Sequence, residues 1–281
     1  MSFSASELEE RKNTLGASEI AAVAGILPWR SAHDTWLVKR GLVDELGDVT
    51  TRMGNRVEAC VREEYCLEMN AEVAHFGTII HPTEPWASAT PDAAVYGARR
   101  LLEIKCVGWR MAHHFGTDVD AIPAYYRAQL AWQMECCDAD EAHLAAWIGG
   151  SDFRIYTVQR DRELGAMLLD VGRRFWFDHV LPGIPPPADG TEGARRMLER
   201  LYPTHRTPLK PATPTAQDLA AKLRAAKAEA ERAELRVQEF QNKMIEEIGE
   251  SEGLTADDWK VTLRADKNGK RRFLFKDKTA A

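Results

Sequence analysis

Apolar positions in the first 180 residues recur with two periods, which together predict a mixture of helices and strands. Spacings of three or four residues predict amphipathic helices, whereas strict alternation predicts strands with one buried face. The predicted helices span 18–24, 32–40, 51–69, 123–136 and 161–180. The predicted strands span 72–81, 87–96, 101–107, 142–148 and 153–159. This order of elements predicts an α/β fold with a central mixed sheet flanked by helices.

The pattern changes after this first part of the chain. Eight of the thirteen prolines fall within 182–214, which predicts a linker or an irregular arm packed on the core, with one short helix over 193–202. Apolar residues over 219–244 then alternate four and three apart, as in a heptad seam. Many of them are alanines, which favours a long helical arm over a free-standing coiled coil. We therefore expect a core over 1–181, the proline-rich linker or arm, and a C-terminal part over 215–281.

The C-terminal part ends in a predicted basic β-hairpin over 258–276. Apolar and polar residues alternate on both sides of Asn268-Gly269, a pair typical of a type I′ turn. Lysines and arginines are interleaved with aromatic residues, a combination that suits binding to a nucleic acid backbone and its bases. It equally suits a hairpin that packs its aromatic side chains and leaves its lysines in solvent. The sequence leaves both interpretations open.

Composition and charge exclude few classes of function. The 281 residues carry a formal net charge of −6 and 28% charged residues, which is ordinary for a globular protein. A nucleic acid partner would therefore need locally concentrated basic residues. The chain has no apolar run long enough to cross a membrane and begins with no secretory signal pattern, so we expect a cytoplasmic protein. Its five cysteines include no C-x-x-C pair, which predicts reduced thiols rather than a zinc site.

The strongest chemical signal is a pair of carboxylates near a predicted strand. Asp92 follows Pro91, and on the strand over 101–107 Glu103 and Lys105 point to the same face. Asp92 and Glu103 are hard oxygen ligands suited to Mg²⁺ or Mn²⁺. The Lys105 ammonium beside them can orient or polarise a water, which completes a minimal set for metal-assisted phosphodiester hydrolysis. A surface strand with a Glu–Lys pair is the simpler alternative.

The arrangement Pro91-Asp92 followed by Glu103-Ile104-Lys105 resembles the core of the P-D…(D/E)-x-K nuclease superfamily. Further motifs narrow the resemblance to the lambda-exonuclease-like alkaline exonucleases, also called YqaJ-like viral recombinases, over roughly residues 8 to 180. In order, these motifs are Arg11 with Ser18, then 54–58, 124–130 and 156–161. The resemblance implies a restriction-endonuclease-like core.

The resemblance also implies roles for residues that the pattern alone would leave on the surface. It implies that the Ile104 carbonyl completes the metal site, that Glu58 is a third carboxylate aiding the metals, and that Gln129 orients the phosphate or water. Arg11 and Ser18 would anchor a terminal 5′-phosphate. Ser18 would also serve as a helix N-cap.

The sequence departs from the family pattern in places. Ala93 stands where the family has Gly after Pro-Asp, which affects a turn more than the chemistry. An additional acid of lambda exonuclease falls on Pro82, and the nearest substitute, Glu84, is not expected to bind metal. Gln133 is a weaker candidate than Gln129 for a place in the site.

The function that the resemblance implies is Mg²⁺-dependent digestion of linear double-stranded DNA, 5′ to 3′, leaving 3′ single strands for phage-type recombination. It also implies a ring-shaped homotrimer, a single-strand-annealing protein as partner, and the cytoplasm of a bacterial host if the gene is phage-encoded. One alternative is an endonuclease or flap nuclease with the same centre, against which the 5′-phosphate anchor argues. Another is a non-catalytic DNA-binding or assembly protein, against which the intact Asp92, Glu103 and Lys105 set argues.

Overall fold

The computed structural model describes residues 12–44, 49–118, 121–205 and 208–278, apart from the side chains of residues 50 and 51. By its contacts the chain divides into two compact units, Met1–Thr204 and His205–Ala281. Within the described ranges, no helix is long and apolar enough to cross a membrane.

Helices and strands are mixed along the first unit, as predicted. Its helices are α1 Ala17–Val23, α2 Ala32–Lys39, α3 Val49–Met69, α4 Ala124–Cys136, α5 Arg162–Phe175 and α6 Glu192–Leu201. Its strands are β1 Leu15–Gly16, β2 Val73–Ala74, β3 Ile79–Ile80, β4 Ala87–Ala89, β5 Ala93–Val95, β6 Arg100–Val107, β7 Glu141–Ile148 and β8 Asp152–Gln159. A 3₁₀-helix follows β6 over Trp109–His114, and a π-helix extends α5 over Trp176–Val180.

The central sheet has five strands in the order β2-β5-β6-β7-β8. Strands β6 and β7 are parallel, and the other neighbours are antiparallel. One face of β6 places Leu102 and Ile104 in a cluster with Tyr65 of α3. On the other face Leu101 joins a cluster with Leu130 of α4. The predicted mixed sheet flanked by helices is therefore confirmed, and β6 is buried on both faces, as strands between two helical layers are.

Two of the predicted strands are each divided between two sheets. The predicted strand 72–81 is β2 and β3, separated by Gly77 in the left-handed region at φ +75°. The predicted strand 87–96 is β4 and β5, separated by Pro91, which has no N–H to continue a ladder. Strands β3 and β4 belong to a small second sheet, ordered β1-β4-β3. The prediction of two continuous strands is wrong, and the break at Pro91 places Asp92 directly before β5.

Of the two predicted helix N-caps, the structure confirms Asp161 but not Ser18. Asp161 caps α5 as predicted, since its carboxylate accepts two backbone N–H groups of the first turn at 3.0 Å each. Ser18 is not the N-cap of its helix, because α1 begins at Ala17 and the N-cap is Gly16. The Gly16 N–H donates to the Glu19 carboxylate at 2.8 Å, which closes the first turn instead.

Helix α6 packs on the first unit although it lies in the proline-rich segment. Its Met197 is 1% exposed within the same core cluster as α1 and α4. On the surface Arg196 forms an ion pair with Asp34 of α2 at 2.7 Å. The domain boundary expected after residue 181 is inferred from composition. By its contacts, the first compact unit extends to Thr204.

Gly172 of α5 lies where the core leaves little room for a side chain. An added Cβ would lie 2.9 Å from Trp132, 3.0 Å from Trp86 and 3.1 Å from Leu15. We expect Gly172→Ala to lower the free energy of unfolding by about 1–2 kcal/mol, because overpacking outweighs the better helix propensity of alanine. Denaturant unfolding measures this, with Gly190→Ala as a control, since nothing lies within 4 Å of an added Cβ there. Equal stability of the Gly172 variant and wild type would contradict this packing.

The second unit consists of a long helix and a three-stranded sheet. Helix α7, Pro214–Ile248, confirms that the predicted heptad segment is helical, and its seam residues Leu219 and Leu223 are more than half exposed. The sheet has the order β11-β10-β9, with β9 Gly253–Thr255, β10 Trp259–Ala265 and β11 Arg271–Asp277. The sequence did not predict β9. The unit has its own small core around Ile248, Val261 and Leu263.

The predicted hairpin is confirmed as β10 and β11, but its turn is of a different type. The Asp266 N–H donates to the Lys270 carbonyl at 2.9 Å, which leaves a three-residue loop over 267–269. Gly269 has φ +78°, whereas Asn268 is not among the described residues with positive φ. A type I′ turn needs two such residues, so the loop is a three-residue turn with glycine in the left-handed position.

Candidate active site

A cleft of about 530 Å³ lies where the pairing of β5 with β6 ends. The last pair joins Ala93 to Leu102, so β6 continues past β5 while it stays paired to β7. Asp92 occupies the position beside this free stretch of β6, where its Oδ2 accepts the Ile104 N–H at 2.6 Å. The residues lining the cleft are Trp29, Gly54, Asn55, Glu58, Asp92, Glu103, Ile104, Lys105, Cys106 and Tyr126.

Three side chains hold the Glu103 carboxylate in place. Gln129 Nε2 donates to Oε1 at 2.6 Å, and Gln133 Nε2 donates to Oε2 at 2.6 Å. Lys105 Nζ also contacts Oε1. Because the two glutamines lie one turn apart on α4, both face β6. Glu103 is only 4% exposed, so its orientation is fixed by these bonds rather than by solvent.

Gln133 has a larger part in the site than the sequence suggested. It is 1% exposed, and its amide contacts Glu103 as directly as the amide of Gln129 does. Its four-residue spacing from Gln129, on the helix that covers β6, is the signal that would have identified it. Sequence alone favours Gln129 over Gln133, because one helical turn moves a side chain about 5.4 Å along the helix axis.

The Lys105 ammonium lies between the acidic groups and an aromatic ring. It contacts Glu103 and stands 5.4 Å from the centre of the Tyr126 ring. Burial by itself lowers the pKa of Lys105, but the Glu103 and Asp92 carboxylates raise it well above the ordinary value. The side chain therefore carries a positive charge at the cleft.

This arrangement disfavours the ionised form of Asp92. Burial raises its pKa to about 8, and the nearby Glu103 carboxylate adds to the rise. The Lys105 ammonium and the Ile104 N–H act in the opposite direction without cancelling it. A cation beside both carboxylates would lower this pKa, because it would stabilise the ionised form.

The oxygen donors around the cleft fit a magnesium ion. Asp92 and Glu103 supply carboxylate oxygens, and the Ile104 carbonyl faces the same side as its N–H, as both groups of a strand residue do. Among the described residues, no group of three or more His, Cys, Asp or Glu side chains is placed to hold a metal ion. Mg²⁺ commonly binds through one or two carboxylates and keeps several waters, so two carboxylates and a carbonyl suffice.

Glu58 lines the same cleft from α3, and its role as a third carboxylate stays a prediction. Its side chain forms an ion pair with Arg62, one turn further along the helix. It does not complete a three-carboxylate group with Asp92 and Glu103 in the part of the chain that is described. Its charge still reaches the site, since it contributes to the raised pKa of Asp92.

The predicted 5′-phosphate anchor is described only in part. Arg11 lies outside the described residues, and Ser18 lies in the first turn of α1 and does not line the cleft. Glu84, which we did not expect to bind metal, also lies outside the cleft lining. Its carboxylate accepts the Trp86 indole N–H at 2.6 Å and pairs with Arg173.

The sequence assigned no role to two aromatic residues of the cleft. Tyr126 lies three residues before Gln129 on α4, and this helical spacing is a signal that could have found it. Trp29 lies in the loop between α1 and α2, and its ring meets that of Tyr125 edge-on at 5.0 Å. No periodic pattern marks a loop residue, so only the fold reveals Trp29.

Comparison with known proteins supports the family resemblance that the sequence motifs indicate. Residues 8–140 match the family described as the YqaJ-like viral recombinase domain. The uncharacterized protein YqaJ of Bacillus subtilis (strain 168) is 27% identical over 200 residues, which are 69% of this chain and 62% of that protein. The chain thus spans less than two thirds of the length of this relative.

Solved structures show the same fold. The alkaline exonuclease LHK-Exo from Laribacter hongkongensis superposes with a TM-score of 0.54 at 20% identity, over 71% of this chain and 100% of that one. LHK-Exo in complex with dAMP gives a TM-score of 0.51 at 21% identity, over 61% and 89% of the two chains. The predicted restriction-endonuclease-like core is therefore confirmed, and residues 8–140 are similar to the YqaJ-like viral recombinase domain.

Proposed function

We propose that the protein is a metal-dependent exonuclease that digests linear double-stranded DNA from its ends, 5′ to 3′, and leaves 3′ single strands for phage-type recombination. The observation that carries this proposal is the meeting of Asp92, Glu103 and Lys105 at one cleft. The shared fold with LHK-Exo, an alkaline exonuclease, supports the activity. The family's description as a viral recombinase domain supports the role in recombination.

Asp92, Glu103 and the Ile104 carbonyl are the groups that would hold Mg²⁺, or Mn²⁺ in its place. An ion bound there would supply a Lewis acid for the phosphoryl oxygens and a more acidic bound water. Gln129 and Gln133 fix the orientation of Glu103 through both of its oxygens. The carboxylate therefore need not reorganise when the substrate binds, which is the usual benefit of partners that orient metal ligands.

Lys105 would stabilise the negative charge that develops on the phosphate during hydrolysis. Its ammonium is held by Glu103 on one side and lies over the Tyr126 ring on the other. A charge fixed in a partly water-excluded site stabilises a transition state more than the same charge in water. Glu58 would contribute negative charge that favours a cation in the cleft.

The preference for DNA ends rests on the predicted anchor. Arg11 and Ser18 would bind a 5′-phosphate and so set the 5′ to 3′ direction of digestion. The ring-shaped homotrimer and the single-strand-annealing partner stay predictions from the family resemblance.

The proposal is tested on duplex DNA labelled at one end of either strand, with Mg²⁺ or with EDTA. We expect stepwise digestion of linear duplexes from 5′-phosphorylated ends in Mg²⁺, slower digestion from 5′-hydroxyl ends, and none in EDTA. Closed circular duplex should stay intact. Cleavage of the circle would favour the endonuclease alternative, whereas DNA binding without cleavage in Mg²⁺ or Mn²⁺ would favour the non-catalytic one.

A further inference from the structure

Trp29 presents an apolar ring to solvent within a cleft otherwise suited to phosphate and metal. It lines the cleft together with Asp92 and Glu103, yet it is 57% exposed. Exposed tryptophan surface carries a hydration cost that burial against a ligand would recover. The polar groups of the cleft explain how a phosphate would bind, but they give no role to the ring of Trp29.

A chain of aromatic contacts ties the Trp29 ring to the candidate catalytic groups. The ring packs edge-on against Tyr125, which is 9% exposed, with a 5.0 Å separation and a 74° angle. Tyr125 in turn meets Tyr126 at 4.6 Å, and the Tyr126 ring lies under the Lys105 ammonium. A T-shaped contact covers at most one face of the indole, and Trp29 is still 57% exposed.

We propose that the exposed face of Trp29 is a nucleobase-binding subsite, on which a base next to the scissile phosphate stacks. This inference rests on the proposed nuclease function. Every base has a π-face, so stacking on a tryptophan holds a nucleotide without selecting its sequence, as digestion of arbitrary DNA ends requires. A base held there would place the adjoining phosphate toward Asp92, Glu103 and Lys105 of the same cleft.

The simpler alternative is that Trp29 only supports Tyr125 and shapes the wall of the cleft. The two roles differ in their dependence on the substrate. A stacking platform matters only when the substrate has a base at the stacked position, whereas a structural support matters for every substrate.

The experiment combines Trp29→Ala with duplexes that carry an abasic residue at the 5′-terminal or the penultimate position. We expect Trp29→Ala to lower kcat/KM on normal ends by about 10- to 100-fold, the range that loss of one stacked base implies. At the stacked position, an abasic residue should lower the wild-type value by a similar factor. In Trp29→Ala, an abasic residue at that position should lower kcat/KM little further. The position at which the wild type is sensitive and the variant is not identifies the stacked base.

Two further variants complete the test. Trp29→Phe should restore most of the activity on normal ends, because it keeps an aromatic face. Tyr202→Ala removes another exposed aromatic ring of the first unit, at 73% exposure and outside the cleft lining, and should leave kcat/KM unchanged.

Equal losses for Trp29→Ala on normal and abasic ends would overturn the subsite, and so would unchanged activity on normal ends. If the wild-type protein cleaves no DNA, the proposed function fails separately. The subsite is then measured by equilibrium binding of the same duplexes in EDTA. There, Trp29→Ala must weaken binding of normal ends and abolish the difference between normal and abasic ends, and any other result overturns it.

Discussion

Asp92→Asn is expected to remove nuclease activity while leaving the protein at least as stable as wild type in the absence of divalent metal. Burial and the Glu103 carboxylate raise the pKa of Asp92 to about 8, so above its ordinary pKa of 3.8 the folded protein must take up a proton or hold a disfavoured charge there, and either opposes folding. An asparagine of the same shape removes that charge and keeps an oxygen that can accept the Ile104 N–H. The same change removes a hard metal ligand, and we expect turnover in Mg²⁺ to fall by at least about 100-fold.

Two measurements on the same preparation test this combination. Thermal unfolding in EDTA reports the fold, and digestion of an end-labelled duplex in Mg²⁺ reports the chemistry. Asp161→Asn is a matched control, because asparagine caps a helix about as well as aspartate and Asp161 lies outside the cleft lining. Near-wild-type turnover at saturating Mg²⁺ would remove Asp92 from the active site, and a marked loss of stability would mean that its charge serves the fold.

Local periodicity predicted most elements of the fold but not where the sheets divide. Residues 87–96 look like one strand, because alternation continues across the proline. The structure divides them, since Pro91 cannot donate to a ladder and the chain moves from the small sheet to the central one. Which sheet each half joins depends on its partner strand, which is the neighbouring β6 for β5 but the distant β1 for β4.

The candidate site likewise has some residues that local sequence patterns predict and others that only the fold brings together. The spacing of Asp92, Glu103 and Lys105 is a local pattern, and the structure brings these residues to one cleft. The burial of Glu103 was not predictable from β6 alone, because the helix that covers this face, α4, comes about twenty residues later in the chain. Trp29 reaches the cleft from a still more distant segment and from a loop, where sequence carries no periodic signal.

Lys105→Met is expected to lower kcat by about 100- to 1,000-fold, the effect of removing one fixed electrostatic stabiliser. Methionine is similar in length and can keep the packing against Tyr126, so the fold should survive. The Mg²⁺ concentration for half-maximal activity should stay the same or fall. The reason is that the variant removes a cation that contacts Glu103 and would repel a metal ion bound beside it.

Metal titrations of the wild type, Lys105→Met and Lys105→Arg separate the possible roles of this charge. Lys105→Arg keeps a positive charge but not a compact ammonium, so it should recover only part of the lost kcat. If Lys105→Met instead raises the Mg²⁺ requirement while kcat at saturation is unchanged, Lys105 organises the ligands and takes no part in the chemical step. If the Lys105 charge opposes Mg²⁺ binding and still accelerates hydrolysis, it must act on the transition state. The titration measures both effects, because it gives the Mg²⁺ requirement and kcat of each variant.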